Sequence, residues 1–197
     1  MPQKHLQEII NDFAKAFKEI DSRELSEKAY KPGIGPFGED RAVGDALAYL
    51  KEKDTYYESA YTTKRCPDLM VPSHWAIEFK LMRPHGDNGA VGEFWSKKIL
   101  YPYPGSTSAI GDCFKLINSG LQERKGIIII GYEHAPPKID LTITARAFEA
   151  IAKEVLGIQM SDRCTAEFTD LIHPVHQTGK LFGWEIFGLS PQSQTSA

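Results

Sequence analysis

The sequence predicts an α/β domain built on a mixed β-sheet with helices on its faces. Two observations carry this expectation: the order of the elements and an unbroken isoleucine run at Ile127–Ile130. Four consecutive β-branched apolar residues mark a strand buried on both faces, and such a strand requires helices above and below it. A chain of 197 residues can bury one sizeable core. Hydrophobic residues at 42% and charged residues at 25% match an ordinary globular composition.

The elements follow from the N-terminus. Leu6, Ile9, Ile10, Phe13, Phe17 and Ile20 recur at helical spacing, which predicts a helix over 4–20. A second short helix is expected over 23–30. Together these make residues 1–35 a helical segment packed on the core. Lys31 to Gly38 is a Pro/Gly loop. Val43, Leu47 and Leu50 stripe a helix over 39–52. Tyr56, Tyr57, Tyr61 and two threonines read as a strand over 55–63, and two more strands are expected at 68–71 and 75–82 around a turn at Pro72-Ser73-His74. Residues 83–105 are aperiodic and glycine-rich, an insertion. Ser106 to Leu121 returns to helix with Ile110, Cys113, Phe114 and Ile117 on one face. Phe148, Ile151, Ala152 and Val155 stripe a helix stopped by Gly157. Strands are expected at 164–171 and 180–189. The body of the domain is thus 36–189, followed by a polar tail at 190–197 expected to be mobile.

Charge and cysteines narrow the class. The net charge of −3 excludes a globally basic nucleic-acid coat, though not an enzyme with local basic residues. Cys66, Cys113 and Cys164 lack disulfide or metal-ligand spacing, which suits a reducing cytoplasm. No run of about 18 apolar residues is present, and the first residues lack the apolar core of a secretory signal.

The informative stretch is Pro67-Asp68-Leu69-Met70-Val71 followed by Trp75-Ala76-Ile77-Glu78-Phe79-Lys80-Leu81. In a strand of period two, Glu78 and Lys80 share one face while Trp75, Ile77, Phe79 and Leu81 take the other. A hairpin turning at Ser73 places position 68 opposite position 78. Facing carboxylates repel and weaken a plain hairpin. A hard divalent cation such as Mg²⁺ reverses that sign, with water and phosphate oxygens completing its shell. Lys80 stands two residues along, able to hold a water or balance phosphate charge. That is equipment for metal-assisted phosphodiester hydrolysis.

Pro67-Asp68, nine residues, then Glu78-Phe79-Lys80 resembles the signature of the PD-(D/E)XK nuclease superfamily, whose fold is restriction-endonuclease-like. The resemblance spans roughly residues 36–132 in element order. It implies that Asp68, Glu78 and the Phe79 carbonyl bind Mg²⁺, with Mn²⁺ able to substitute, and that Lys80 assists the attacking water. It also implies an acid on the preceding helix; Glu39 is preferred over Asp40 because family members usually place a glutamate there. Asp112-Cys113-Phe114-Lys115-Leu116 resembles an Asp-x-x-Lys-Leu pattern of such proteins. The expected function is hydrolysis of DNA by an endonuclease of restriction or repair type. RNA is not separable from DNA by sequence, and a non-catalytic binding or scaffold module on the same fold is the competing reading. A homodimer would reach both strands of a duplex. Arg83, Lys97, Lys98 and Lys115 are the expected nucleic-acid contacts, with Trp95 and Tyr101 near Lys97 and Lys98.

Other signals are read as structural. Gly33-Ile34-Gly35-Pro36-Phe37-Gly38 matches G-x-G-x-x-G, but no strand precedes it and Pro36 has no N–H to offer a phosphate. His173-Pro174-Val175-His176 has no third ligand in register and reads as a surface loop.

Overall fold

The computed structural model describes residues 3–191, a mixed seven-stranded sheet between two helical layers. Apart from Ser190 and Pro191, the segment expected as a mobile tail lies outside the described residues.

Helix α1 covers Leu6–Asp21 and buries the whole predicted stripe. The Glu8 carboxylate accepts the His5 N–H at 2.7 Å and caps its start. The expected helix at 23–30 is corrected: these residues form turns, with Glu24 and Lys28 at positive φ. Leu25 and Tyr30 stay exposed, so no apolar face is available to hold a helix this short. Residues 1–35 are therefore helical only in their first part. Helix α2 spans Glu39–Lys53.

The strand expected over 55–63 shrinks to β1, Tyr61–Thr62. Before it, Asp54 accepts the Tyr56 N–H at 2.8 Å and winds Thr55–Tyr57 into a 3₁₀ turn that buries both tyrosines. Strands β2, Leu69–Val71, and β3, Trp75–Met82, form the expected hairpin, with Ser73 at φ 64 in its turn. The insertion 83–105 is not featureless. It contains an isolated bridge between His85 and Val91 and a short helix α3, Lys97–Leu100. Helix α4 is Ala109–Ile117, shorter than expected, and begins where the Ser108 hydroxyl accepts the Gly111 N–H at 3.0 Å. Strand β4 is Arg124–Glu133. Helix α5, Leu141–Ala150, starts at the Asp140 cap, about two turns before Phe148. It widens into a π-helical turn at Ile151–Val155 and stops at Gly157, φ 66. Strands β5, Ile158–Met160, β6, Cys164–Phe168, and β7, Thr178–Leu189, complete the chain.

The sheet runs β1-β2-β3-β4-β7-β5, and β6 also pairs β7. Among the described residues only β3 and β4 pair in parallel; the other pairings are antiparallel. The isoleucine run splits between two cores. Ile128 and Ile130 pack with α1, α2 and Phe79 on one face, while Ile127 and Ile129 pack with α4, α5 and Trp184 on the other. All four are fully buried, as a central strand requires. Among the described residues, no helix is long and apolar enough to cross a membrane.

Candidate active site

The site forms where β2 ends against the middle of β3. Leu69 pairs with Ile77, so the antiparallel register continues to Asp68 opposite Glu78. Side chains complete the pairing where the backbone ladder stops. The Phe79 N–H donates to Asp68 Oδ2 at 2.7 Å, and the Asp68 N–H donates to Glu78 Oε2 at 3.2 Å. The two carboxyl groups therefore wrap one rung of the hairpin. A strand residue sends its N–H and C=O to the same edge. The Phe79 carbonyl thus leaves β3 on the side of Asp68.

Alternation in β3 does the rest. Trp75, Ile77, Phe79 and Leu81 enter the core under α1 and α2. Glu78 and Lys80 face the opposite layer, where α4 brings Asp112 to 2.9 Å from Lys80 Nζ. From the start of α2, Glu39 Oε1 lies 3.3 Å from Lys80 Nζ, and Glu39 Oε2 accepts the Leu81 N–H at 2.8 Å. Glu39, not Asp40, is the helix acid that contacts Lys80. A cleft of about 260 Å³, lined by Glu39, Asp40, Thr62, Thr63, Lys64 and Asp68, opens onto the group.

Carboxylates are in excess here. Glu39, Asp68, Glu78 and Asp112 converge on Lys80 and Lys115. Burial pushes the Glu78 carboxyl up to about 8, with the Asp68 and Asp112 charges adding to it. Burial likewise pushes Asp68 up to about 6, against the hydrogen bond from Phe79. Glu39 is raised by burial too, with Lys80 opposing. Burial alone would lower Lys80; the charges of Glu39 and Asp112 outweigh it and hold the ammonium above its ordinary range. Lys80 is a fixed cation, not a proton acceptor. Several raised carboxyls beside a lysine held charged, gathered in one cleft, mark a functional candidate.

The donors suit a hard ion. Asp68, Glu78 and the Phe79 carbonyl are all oxygen ligands, the set Mg²⁺ takes up with water. The two carboxyls hold protons abnormally strongly chiefly because they are withdrawn from water, and Lys80 only partly opposes this; a divalent cation would favour their charged forms.

The expected nucleic-acid contacts separate. Lys97 and Lys98 are exposed on α3, with the Lys97 ammonium 5.0 Å from the Tyr101 ring centre. Phe94 and Tyr103 are exposed nearby. Arg83 donates to the Gly35 carbonyl at 2.8 Å and lines a cavity of about 420 Å³ with Lys98 and Trp95. Lys115, its side chain about 36% exposed, pairs with the buried Asp112 at 2.7 Å. Asp112 is the member that spacing around the hairpin could not supply; its signal was the Asp-x-x-Lys-Leu resemblance on α4.

The histidine pair is also corrected. His173 and His176 are fully buried instead of lying on a surface loop. The Asp21 carboxylate accepts the N–H groups of Ile34 and Ile172 at 2.9 and 2.8 Å, tying two loops over them. Gly33 and Gly35, discounted as a phosphate loop, pack directly against this pair. No protein-family model, no curated protein and no solved structure matches this chain.

Proposed function

We propose that this chain is a Mg²⁺-dependent nuclease with a restriction-endonuclease-like core that hydrolyses phosphodiester bonds in DNA. The observation that supports it most is the facing pair Asp68, half-buried, and Glu78, buried, both with raised proton affinity and set beside a lysine held charged. Neutral acceptors would serve the same two hairpin hydrogen bonds without the repulsion of facing carboxylates.

The bound cation would polarise a phosphate oxygen and offset the charge developing there. Asp68, Glu78 and the Phe79 carbonyl would hold it. Lys80, kept protonated, donates hydrogen bonds to the attacking water or to a non-bridging phosphate oxygen. Glu39 is placed to take the proton of that water, since its carboxyl lines the cleft and burial raises its proton affinity. Asp112 holds Lys80 from the far side and keeps the ammonium aimed across β3. The three free thiols fit a cytoplasmic setting, and a homodimer would bring two such clefts to the two strands.

The test is incubation with supercoiled and linear DNA, and with RNA, in Mg²⁺, Mn²⁺ or EDTA. Nicking or linearisation with either metal, abolished by EDTA, is the expected result. Binding without cleavage under every metal condition would favour a scaffold module, and cleavage confined to RNA would move the substrate.

Lys97 and Lys98 bear on how substrate is held. Each phosphate contact removed lowers the slope of log affinity against log salt by about 0.9. Reversing both charges (Lys97→Glu, Lys98→Glu) is therefore expected to weaken DNA binding and flatten that slope by close to 2, measured by anisotropy across a salt series. An unchanged slope would assign α3 to packing or to a protein interface.

A further inference from the structure

We propose that Asp87, His173 and His176 form a second, nitrogen-rich metal site that binds Zn²⁺ and staples the 83–105 insertion to the body of the domain. One ligand atom from each residue lies within 4.8 Å of the other two. His176 Nδ1 is 3.6 Å from Asp87 Oδ1. Two zinc bonds of about 2.0–2.1 Å at a tetrahedral angle span about 3.3 Å, so the two atoms sit near the edge length such a site needs.

Each of the three side chains carries a buried atom that no protein group satisfies. Asp87 Oδ1, His173 Nε2 and His176 Nδ1 have no hydrogen-bond partner among the described residues, although both histidines are fully buried. Three such atoms on neighbouring side chains are uncommon, because an orphaned buried polar group is costly.

The ring of His176 is oriented for a metal. Its Nε2 lies 3.0 Å from the His85 carbonyl, so Nε2–H donates there and the Nδ1 lone pair is left facing Asp87. A backbone carbonyl holding the far nitrogen is the usual support of a metal-bound imidazole. His173 must adjust. Its Nδ1 accepts long 3.3 Å contacts from the Val175 and His176 N–H groups, which places its proton on Nε2. Binding moves that proton to Nδ1. The ring must also turn out of its stack on His176 (centroids 4.8 Å apart, 21° between planes) and away from the two N–H donors, which gives up two weak neutral contacts for a bond to a dication. Burial lowers His173 and brings His176 down to about 4, so both rings are neutral at pH 7.

The surroundings are shaped around this pair. A Cβ on Gly35 would lie 2.3 Å from the His176 Cβ, and one on Gly33 would lie 2.9 Å from the His173 backbone nitrogen. Asp87 and His176 also line the 420 Å³ cavity, leaving room for water at a fourth ligand position. Imidazole selects zinc-like ions and carboxylate selects Mg²⁺. The two sites should therefore fill with different metals.

The test uses the full chain, purified from zinc-supplemented culture and dialysed against Mg²⁺ buffer. Elemental analysis is expected to find an equimolar amount of zinc. Cobalt substitution is expected to give the visible absorption of a low-symmetry four-coordinate ion. Asp87 is only half-buried, so Asp87→Ala and Asp87→Asn are expected to fold with unchanged circular dichroism while losing zinc affinity at least about tenfold in a competition titration with a chromophoric chelator. Asp68→Asn is expected to keep its zinc, which separates this site from the proposed nuclease centre. Absence of bound zinc, or affinity unchanged in both Asp87 variants, would overturn the proposal in favour of an ordinary buried water. Zinc lost on His134→Gln but kept in Asp87→Ala would also overturn it, moving the ion to the neighbouring group of His85, Glu133 and His134.

Discussion

Replacing Lys80 by alanine is expected to slow DNA cleavage by about 10²–10³-fold, the usual cost of removing one electrostatic partner of the transition state. The ammonium cannot ligate a cation, so Mg²⁺ affinity should not fall. It should rise, because the Lys80 charge acts on both Asp68 and Glu78 and its removal leaves them in a more negative field. Activity and metal binding therefore move in opposite directions, which a merely structural lysine would not produce. Stability should drop as well. A buried ion left without its partner costs about 3–5 kcal/mol; Asp112 keeps Lys115 at 2.7 Å, so the loss should be smaller than that. Single-turnover cleavage, isothermal titration of Mg²⁺ and thermal melts check the three parts. Wild-type cleavage by Lys80→Ala over a range of Mg²⁺ would remove the nuclease reading of this face.

The metal-free protein is expected to lose stability as pH rises from 4.5 toward 8. Glu78 carries an ordinary value of 4.5 in the unfolded chain and about 8 in the folded one. Folding therefore takes up a proton in this window, and stability falls wherever the native state binds more protons than the unfolded state. The contribution is complete below 4.5 and is lost as pH passes through the folded value. Its upper bound is on the order of 5 kcal/mol, at 1.36 kcal/mol for each pH unit. Asp68 adds a smaller loss between its ordinary 3.8 and about 6. Mg²⁺ competes with these protons, so its affinity should climb over pH 6–8 and restore the lost stability. Glu78→Gln still accepts the Asp68 N–H, and it should flatten the metal-free melting curve against pH while abolishing Mg²⁺ stabilisation. A melting temperature independent of pH between 5 and 8 in EDTA would show that the pair is not protonated as described.

Much of the arrangement was legible along the chain because it depends on local rules. The period-two alternation from Trp75 to Met82 assigns Glu78 and Lys80 to one face, and a turn at Ser73 sets position 68 opposite 78; the structure has that register. The isoleucine run and the stripe of α1 similarly follow from periodicity, since burial of one face or two leaves a pattern in consecutive residues. Local propensity failed where no buried face backed it, as at 23–30, or where a side chain captured the backbone, as Asp54 does before Tyr56.

Partners brought together from distant segments left no such pattern. Asp112 and Glu39 reach Lys80 only because α4 and the start of α2 meet the edge of β3. Lys115 is drawn to the buried Asp112 one turn earlier on α4. The clearest case is His173 and His176. With Asp87 lying 86 residues earlier in an aperiodic insertion, the pair reads along the chain as a proline-broken loop. Sequence spacing reports which side chains share a strand or helix face. Which faces then close on one another is set by packing and burial, and those determine the charge that Lys80 feels and the atoms that His176 faces.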